Sequence, residues 1–243
     1  MIEKAAKSRT EQTFLSIRAD ILSCRHLPGE RLLINALCEQ LGASLGAVRE
    51  ALSRLAAEGL IQATAQKGFR VTPVSAADLE DLTNTRCIIE DLCLRSAIQE
   101  GGVEWETGIV ASFHRLSRLP DVLTLTKAKD IESWGSAHEI FHLALVSSCS
   151  SPWQLRLRAM LFDQADRYRR LATFTSRVER DVLEEHRTIM EATLDRNTDR
   201  ACALMDEHLR RTSESVSEFL RAQPTESGPA GNRLAQLATE EIR

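Results

Sequence analysis

Two helix-length apolar patterns, separated by only three residues, constrain the fold of this chain most strongly. The first pattern lies between residues 33 and 41, and the second runs from about Leu45 to Glu58. Between them, Gly42 can adopt the left-handed backbone of a tight turn, and Ser44 is a residue type that caps helices. The apolar positions are Leu33, Ile34, Leu37, Cys38 and Leu41, then Val48, Ala51, Leu52 and Leu55. This order predicts a helix-turn-helix.

The segments on either side of this pattern complete a small domain. Residues 13–23 carry apolar side chains at helical spacing. Gly59 stands where a C-cap glycine is expected after the third helix. Residues 60–63 and 69–72 are strand-like and are joined by a short turn. We therefore predict a winged helix-turn-helix domain over residues 1–75.

The remainder of the chain has the periodicity of amphipathic helices almost throughout. Its low aromatic content, 5%, argues against a β-sandwich. We predict that residues 76–222 form an all-α antiparallel helical bundle, so that the fold is mostly α. Residues 223–243 begin with the composition of a linker and are predicted to be a mobile tail. The predicted helices span about 78–100, 103–118, 127–149, 151–173, 176–196 and 198–221.

The distribution of charge separates these two parts. The net charge is −4, but residues 1–75 carry ten basic and seven acidic side chains. The remaining residues carry 21 basic and 28 acidic side chains. A mildly basic head on an acidic body suits a head that contacts a polyanion such as DNA.

Several classes of protein are excluded by simple features of the sequence. No stretch approaches the roughly 18 uninterrupted apolar residues that a transmembrane helix needs. The polar first residues lack the apolar run of a secretory signal. The six cysteines are scattered without a CxxC pair, which is typical of reduced thiols. The sequence therefore predicts a cytoplasmic protein that makes no membrane contact.

The outer face of the third predicted helix has the residues of a DNA-reading surface. Recognition helices present their N-terminal residues to base edges, and Arg49 can make the bidentate contact to guanine. The alternative is that Arg49 pairs with a neighbouring carboxylate such as Glu50 or Glu58. Lys67 and Arg70 on the hairpin are expected near phosphates or a minor groove. The candidate DNA-binding residues are Arg31, Asn35, Ser44, Leu45, Gly46, Arg49, Arg54, Lys67, Gly68 and Arg70.

Four histidines of the body have the spacing of a metal site. His138 and His142 are four residues apart and share one helix face. His186 and His208 are 22 residues apart, which two antiparallel helices joined by a tight turn would bring together. Four converging imidazoles would bind a divalent ion such as Zn²⁺ or Ni²⁺. The alternative is four ordinary surface or hydrogen-bonded histidines.

The same segment contains the H-E-x-x-H pattern of zinc metallohydrolases. In that interpretation His138 and His142 bind zinc and Glu139 acts as the general base. The pattern is short, the predicted bundle offers no edge strand to align a substrate, and the DNA-reading head would be left unexplained. We therefore expect that the protein is not an enzyme, and we keep a zinc metallohydrolase as the alternative. The position of Glu139 relative to the histidines distinguishes the two.

The head and the body each resemble part of one family. The head resembles the DNA-binding domain of GntR transcription factors, and the body resembles the C-terminal helical (FCD) ligand-binding domain of the FadR-like branch. One departure is Leu45, which stands where many members carry an arginine. The matching segments are 28–32 (PGERL), 41–52 (LGASLGAVREAL), 58–61 (EGLI), 86–90 (RCIIE), 141–142 (FH), 151–153 (SPW), 185–187 (EHR) and 205–208 (MDEH).

The resemblance implies a ligand-responsive transcriptional regulator, most often a repressor, that acts as a homodimer on a near-palindromic double-stranded DNA operator. It also implies a divalent metal held by three histidines and an aspartate. His142, His186 and His208 match those histidines, and His138 stands in place of the aspartate.

The effector that the resemblance implies is a small carboxylate bound beside the metal. Arg86 is the family arginine that would bind it. For Arg167 and Arg170, ion pairs with Asp163, Asp166 or Glu179 are the alternative. The further candidates for the effector site are Asn84, Arg167, Tyr168 and Arg170.

Overall fold

A computed structural model of the chain describes residues 8–64, 68–125, 127–173 and 180–222. The chain divides between Val74 and Ser75 into two compact units, which we call the head and the body. In the head, the elements are α1 (Arg9–Leu22), β1 (Arg31–Leu32), α2 (Ile34–Leu41), α3 (Leu45–Ala57), β2 (Ile61–Thr64) and β3 (Gly68–Val71). The predicted winged helix-turn-helix with a helical body is confirmed as the fold class.

The turn between α2 and α3 forms as the sequence predicts. Gly42 has φ +57°, and the N–H of Ala43 behind it donates to the carbonyl of Cys38 at 3.1 Å. Ser44 Oγ accepts a hydrogen bond from the N–H of Ala47 at 3.3 Å, which caps α3. Gly59, with φ +74°, follows the other end of α3. These local signals fix where the third helix begins and ends.

A three-stranded sheet closes the head, with the strand order β1-β3-β2 and antiparallel pairing throughout. Arg31 pairs with Arg70, and Ile61 pairs with Val71. The hairpin of β2 and β3 is the predicted wing, but β1 was not predicted, because two residues are too short to show a period. The apolar faces of α1, α3 and the sheet bury one core, which includes Phe14, Ile17, Ile21, Leu37, Val48, Leu52, Leu55 and Leu60.

The body is built from long helices. They are α4 (Ala76–Glu100), α5 (Val103–Ser117), α6 (Ala128–Val146), α7 (Pro152–Thr173), α8 (Val182–Leu194) and α9 (Thr198–Ala222), with a short 3₁₀ turn at Val122–Thr124. α4 packs on α9 and α7, α5 on α6, and α8 on α9. Within the described body, no strand accompanies them, as predicted.

Two predicted helix boundaries are corrected. α6 ends at Val146 rather than residue 149, and α8 spans 182–194 rather than 176–196. Asp181 starts α8, because its carboxylate accepts a hydrogen bond from the N–H of Glu184 at 2.8 Å. At the other end of α8, Arg196 has φ +57° and breaks the helix. Residues 176–179, the first part of the predicted helix, lie outside the described residues, as does the predicted tail.

Apolar side chains between the helices of the body form a second core, which includes Leu94, Trp105, Ile109, Phe141, Leu145, Ile189 and Met205. The indole Nε1–H of Trp105 donates to the carbonyl of Ala144 at 2.9 Å, which satisfies the one polar atom of this side chain. All six cysteines are free thiols. A search of the described helices finds none with the length and hydropathy needed to cross a bilayer.

Candidate DNA-binding face, histidine cluster and cavity

The first turns of α3 present an open face. Ser44, Leu45, Gly46 and Arg49 are all exposed there. In the part of the chain that the structure describes, Arg49 has no ion pair. The carboxylate of Glu58, one alternative partner, instead accepts from Nε of Arg18 at 3.0 Å. The guanidinium of Arg49 therefore lies at the surface and is available to bind a ligand.

The remaining predicted DNA contacts have different surroundings. Arg31, Asn35 and Gly68 are exposed, whereas Lys67 lies outside the described residues. Nη1 of Arg70 donates to the carbonyl of Gly29. This contact ties the wing to the turn before β1 and leaves the rest of the guanidinium exposed.

Arg54 is engaged within the head. Its Nη1 lies 2.7 Å from Oε2 of Glu11, and its guanidinium carbon lies 3.8 Å from the centroid of the Phe14 ring. An ion pair combined with a cation–π contact holds α3 against α1. Arg54 is therefore a structural residue of the head in this conformation, and its predicted role in binding DNA has no support from its surroundings.

The structure brings the four predicted metal-binding histidines together. α6 supplies His138 and His142, α8 supplies His186, and α9 supplies His208. All four are buried, and one ring nitrogen from each lies within 4.8 Å of those of the others. This convergence does not fit the alternative of four surface histidines.

The dimensions of the cluster fit a metal ion. Nε2 of His142 lies 3.1 Å from Nε2 of His186. Two imidazole ligands about 2.0–2.1 Å from a tetrahedral metal stand roughly 3.3 Å apart. Nδ1 of His138, His142 and His186 is buried without a hydrogen-bond partner among the described residues. For His142 and His186 this nitrogen is not the one that faces the neighbouring imidazole, so the fit to an ion rests on the Nε2 separation.

The tautomer of His208 follows from its neighbours. Its Nδ1 lies 2.9 Å from Oε2 of Glu185, and this carboxylate also accepts from Nε of Arg180 at 2.6 Å. Nη2 of Arg180, a donor, lies 3.2 Å from the same Nδ1, but the carboxylate is closer and only accepts, so we assign the proton to Nδ1 of His208 and the lone pair to Nε2. A carboxylate behind the outer nitrogen is the usual support of a metal-binding histidine, because it fixes the tautomer and the ring orientation.

The cluster is held in the uncharged state that metal binding requires. Burial lowers the pKa of each of the four histidines, and repulsion from neighbouring imidazoles lowers the pKa of three of them further. For Glu185, burial raises the pKa, but hydrogen bonds from Arg180 and His208 outweigh it, so the net pKa lies well below its usual range. Neutral imidazoles next to an ionised carboxylate form a donor set suited to a divalent cation.

A cavity opens beside the cluster. His138 and His208 lie in its wall, together with Arg86 and Arg180. Arg86, Arg169 and Arg180 line it, whereas Asp166 is the one carboxylate among the described lining residues. The excess of guanidinium groups over carboxylates favours an anion in this space.

Arg86 is the cavity arginine best placed to bind such an anion. Arg169 and Arg180 are held by the carboxylates of Asp166 and Glu185. Nε of Arg86 is buried without a hydrogen-bond partner among the described residues, and burial lowers its pKa while the nearby Glu90 partly offsets this. A guanidinium remains charged in proteins, so this group carries an unused donor into the cavity wall.

Of the other predicted effector residues, only Tyr168 reaches the cavity, and its hydroxyl donates to Asp78 and accepts from the N–H of Ser75. Asn84 does not line the cavity. It lies two residues before Arg86 on α4, and residues two apart on a helix point away from each other. Its Oδ1 accepts a hydrogen bond from Arg210. Arg167 is buried beside Gln164, and Arg170 lies 2.6 Å from Asp166 as an ion pair. Asn84, Arg167 and Arg170 are therefore not part of the cavity wall.

Glu139 does not join the cluster. It is exposed on the outer side of α6, whereas its neighbour His138 is buried, and it is not a lining residue of the cavity. A zinc hydrolase needs this carboxylate next to the metal-bound water. The geometry therefore gives the metallohydrolase alternative no general base from the H-E-x-x-H pattern.

Sequence reasoning missed Arg180, Glu185 and Arg169 as residues of the site, and it identified Asp166 only as an ion-pair partner, a role that Asp166 has with Arg170. Glu185 directly precedes a predicted ligand, and a carboxylate next to a metal-binding histidine is a signal that was available. Arg180 lies outside any helix, so no periodicity marks it. Its role depends on the approach of α8 to α9, which only the fold reveals.

Comparisons with known proteins agree with the assignments of both the head and the body. Residues 9–71 match the family described as "Bacterial regulatory proteins, gntR family", and residues 81–211 match the FCD domain. The chain belongs to the GntR family. This GntR-family protein is a DNA-binding transcriptional regulator with an FCD domain.

Two curated relatives cover most of this regulator. It is 40% identical over 213 residues to an uncharacterized HTH-type transcriptional regulator, BphR, of Paraburkholderia xenovorans, with 88% of this chain and 87% of that protein covered. It is 36% identical over 197 residues to the HTH-type transcriptional repressor GlaR of Escherichia coli, with 79% and 89% covered.

Solved structures agree with the fold. Escherichia coli McbR/YncC superposes with a TM-score of 0.74 at 18% identity, covering 88% of this chain and 99% of that one. A GntR regulator from Rhodococcus sp. RHA1 gives a TM-score of 0.71 at 22% identity, covering 90% and 100%. At these identities the likeness concerns the fold alone.

Proposed function

We propose that this regulator is a metal-dependent repressor that releases its operator when a small carboxylate binds in the body. One observation carries the proposal. Four neutral histidines form one cluster, and two of them, His138 and His208, share a cavity wall with Arg86 and its unused donor, in a chain that also carries a DNA-binding head. A carboxylate is the ligand that such a combination recognises, since it offers oxygens to both a metal and a guanidinium.

The residues of this site have two proposed roles, binding the metal and recognising the effector. His138, His142, His186 and His208 hold the ion, and Glu185 keeps the last of them in the binding tautomer. Four imidazole donors favour Zn²⁺ or Ni²⁺ over harder ions. When bound, the ion supplies fixed positive charge beside the cavity. Arg86 donates hydrogen bonds to the effector from the wall of the same cavity.

In the head, α3 and the wing are proposed to bind a near-palindromic operator. The exposed guanidinium of Arg49 reads a guanine in the major groove. Arg31, Asn35, Ser44, Gly46, Lys67, Gly68 and Arg70 remain the proposed surrounding contacts. The effector has different affinities for two arrangements of the regulator, and this difference couples effector binding to operator binding. Such a coupling is typically worth about 1–3 kcal/mol.

The test uses an operator selected from random DNA duplexes and measures its affinity by fluorescence anisotropy. Adding carboxylates to the Zn²⁺- or Ni²⁺-loaded regulator is expected to weaken operator binding about 5- to 150-fold, in line with typical allosteric coupling. The Arg86→Ala variant is expected to bind the operator normally but to lose this response. Arg170→Ala removes a body arginine outside the cavity and should respond like the wild type. A panel of carboxylates that leaves affinity unchanged with metal present would contradict the proposal.

We further propose that the regulator is a homodimer that associates through α7 and α4. Trp153, Leu157 and Met160 form an exposed apolar stripe at positions i, i+4 and i+7 of α7, and Trp153 is 70% exposed. Ile88 and Leu92 are exposed on α4, which packs against α7. Apolar patches of this kind on soluble proteins mark interaction sites. A second copy is the proposed partner, because a near-palindromic operator requires two heads.

Replacing Leu157 by Asp is expected to convert the dimer into a monomer, since the charge would be buried in the interface without a partner. Sedimentation equilibrium measures the mass, and operator affinity should fall in parallel because one half-site is lost. Val110→Asp places the same charge on an exposed apolar position of α5 and should remain dimeric. If Leu157→Asp also sediments as a dimer, the interface lies elsewhere.

A further inference from the structure

Leu45 is an unusual residue for the surface it occupies. It is the first residue of α3 and is 48% exposed. In the described part of the head, Leu45 and Leu33 are the only large apolar side chains with such exposure. The other large apolar side chains of α3, Val48, Leu52 and Leu55, are fully buried. An apolar group is therefore held outside the core at the end of the helix that is proposed to read DNA.

The surroundings of Leu45 leave it free to approach a base edge. Gly46 next to it has open space where a Cβ would lie, so no side chain shields this turn. Ser44 uses its hydroxyl to cap the helix. Leu45 and Arg49 are four residues apart and so are neighbours on one face of α3. The two exposed side chains can contact adjacent positions of a groove.

The chemistry of the major groove offers one apolar group to such a side chain. Guanine, cytosine and adenine present hydrogen-bond donors and acceptors, whereas thymine adds a C5-methyl group. A leucine has neither donor nor acceptor, so it gains little from the other three bases. It gains from covering a methyl group, because both surfaces leave water.

We propose that Leu45 reads the C5-methyl group of a thymine that lies next to the guanine read by Arg49. Each half-site of the operator would then contain a thymine selected by apolar contact rather than by hydrogen bonding. This inference rests on the proposed docking of α3 in the major groove, and it adds the base that the residue at the start of the helix selects.

Deoxyuridine tests the inference directly, because it lacks the methyl group of thymidine but pairs in the same way. The operator is selected from random duplexes with the wild-type regulator, and each thymine is then replaced in turn in both half-sites. Burying one methyl group is worth about fourfold in affinity, so the replacement at the contacted thymine should cost about fifteenfold over two half-sites. Replacements elsewhere should change affinity less than about twofold.

Two variants identify the side chain responsible. Leu45→Ala should bind thymine and deoxyuridine operators equally, with unchanged thermal stability because the residue is exposed. Leu33→Ala, at the other exposed leucine of the head, should discriminate as the wild type does. The inference is overturned if no replacement weakens wild-type binding, or if Leu45→Ala keeps the discrimination. A selection that enriches no sequence at all overturns the proposed operator binding itself, and the inference with it.

Discussion

Replacing Arg49 by alanine is expected to abolish sequence-specific operator binding without unfolding the head. Arg49 is exposed on α3 and has no ion pair within the described residues, so its removal leaves no buried charge behind. A bidentate contact from arginine to guanine provides about 1–3 kcal/mol of discrimination. A dimer makes the contact twice, so the expected loss is about 2–6 kcal/mol, or at least roughly 30-fold in specific affinity.

The measurement is the ratio of operator affinity to non-specific DNA affinity, taken at several salt concentrations. Loss of a base-reading arginine lowers this ratio, whereas loss of a phosphate-binding arginine weakens both affinities together and reduces the salt dependence. Thermal denaturation of the variant should match the wild type. If Arg49→Ala protects the operator normally, α3 does not read the DNA through this residue.

Arg54→Ala provides the matched comparison on the same helix. Arg54 pairs with Glu11 and lies over the ring of Phe14, so its loss should lower the stability of the head. Its effect on the specificity ratio should be small. The two arginines are indistinguishable in the sequence pattern, and this pair of variants separates a contact with DNA from a contact within the fold.

The difference between these two arginines shows how far the sequence predicts the head. Gly42, Ser44 and Gly59 act through backbone conformation and capping, which are local, so the ends of α3 were predictable. Arg54 depends on α1, which lies more than 30 residues earlier, and β1 depends on pairing with β3. Contacts between distant segments leave no periodic signal in the chain.

The histidine cluster was predictable for a related reason. His138 and His142 are brought together by one helix, and the short connection between α8 and α9 brings His186 near His208. The cavity wall was less predictable. Arg86 was expected there, but Asn84 and Arg170 face away, and Arg180 enters from an irregular segment. Which face of a helix meets a cavity depends on how several helices pack.

Replacing His186 by alanine is expected to remove the metal from the regulator. Loss of a residue that only supports a ligand costs about 10–100-fold in metal affinity, and loss of a ligand should cost more. Nε2 of His186 lies 3.1 Å from that of His142, which places it within the cluster. Elemental analysis and titration with Zn²⁺ or Ni²⁺ measure the loss. With free metal at 100 times the dissociation constant, the wild type should gain about 2.7 kcal/mol in its free energy of unfolding, and the variant should gain none.

The pH dependence of the metal-free protein supplies an independent check of the cluster. Burial lowers the pKa of all four histidines in the folded state, so they remain neutral there. In the unfolded chain they take up protons below about pH 6.5. The free energy of unfolding should therefore fall as the pH is lowered through this value, by up to about 1.4 kcal/mol per pH unit for each histidine. His186→Ala should reduce this slope.

His114→Ala is the control for the loss of a histidine outside the cluster, because His114 is exposed on α5 and is not one of the four clustered residues. It should bind metal as the wild type does. A wild-type regulator that contains no metal, and acquires none on incubation with Zn²⁺ or Ni²⁺, would contradict the metal site. The DNA-binding head and its proposed base contacts would be unaffected by that result. The two halves of the proposed function can therefore fail separately, because the head and the cluster are tested by different variants.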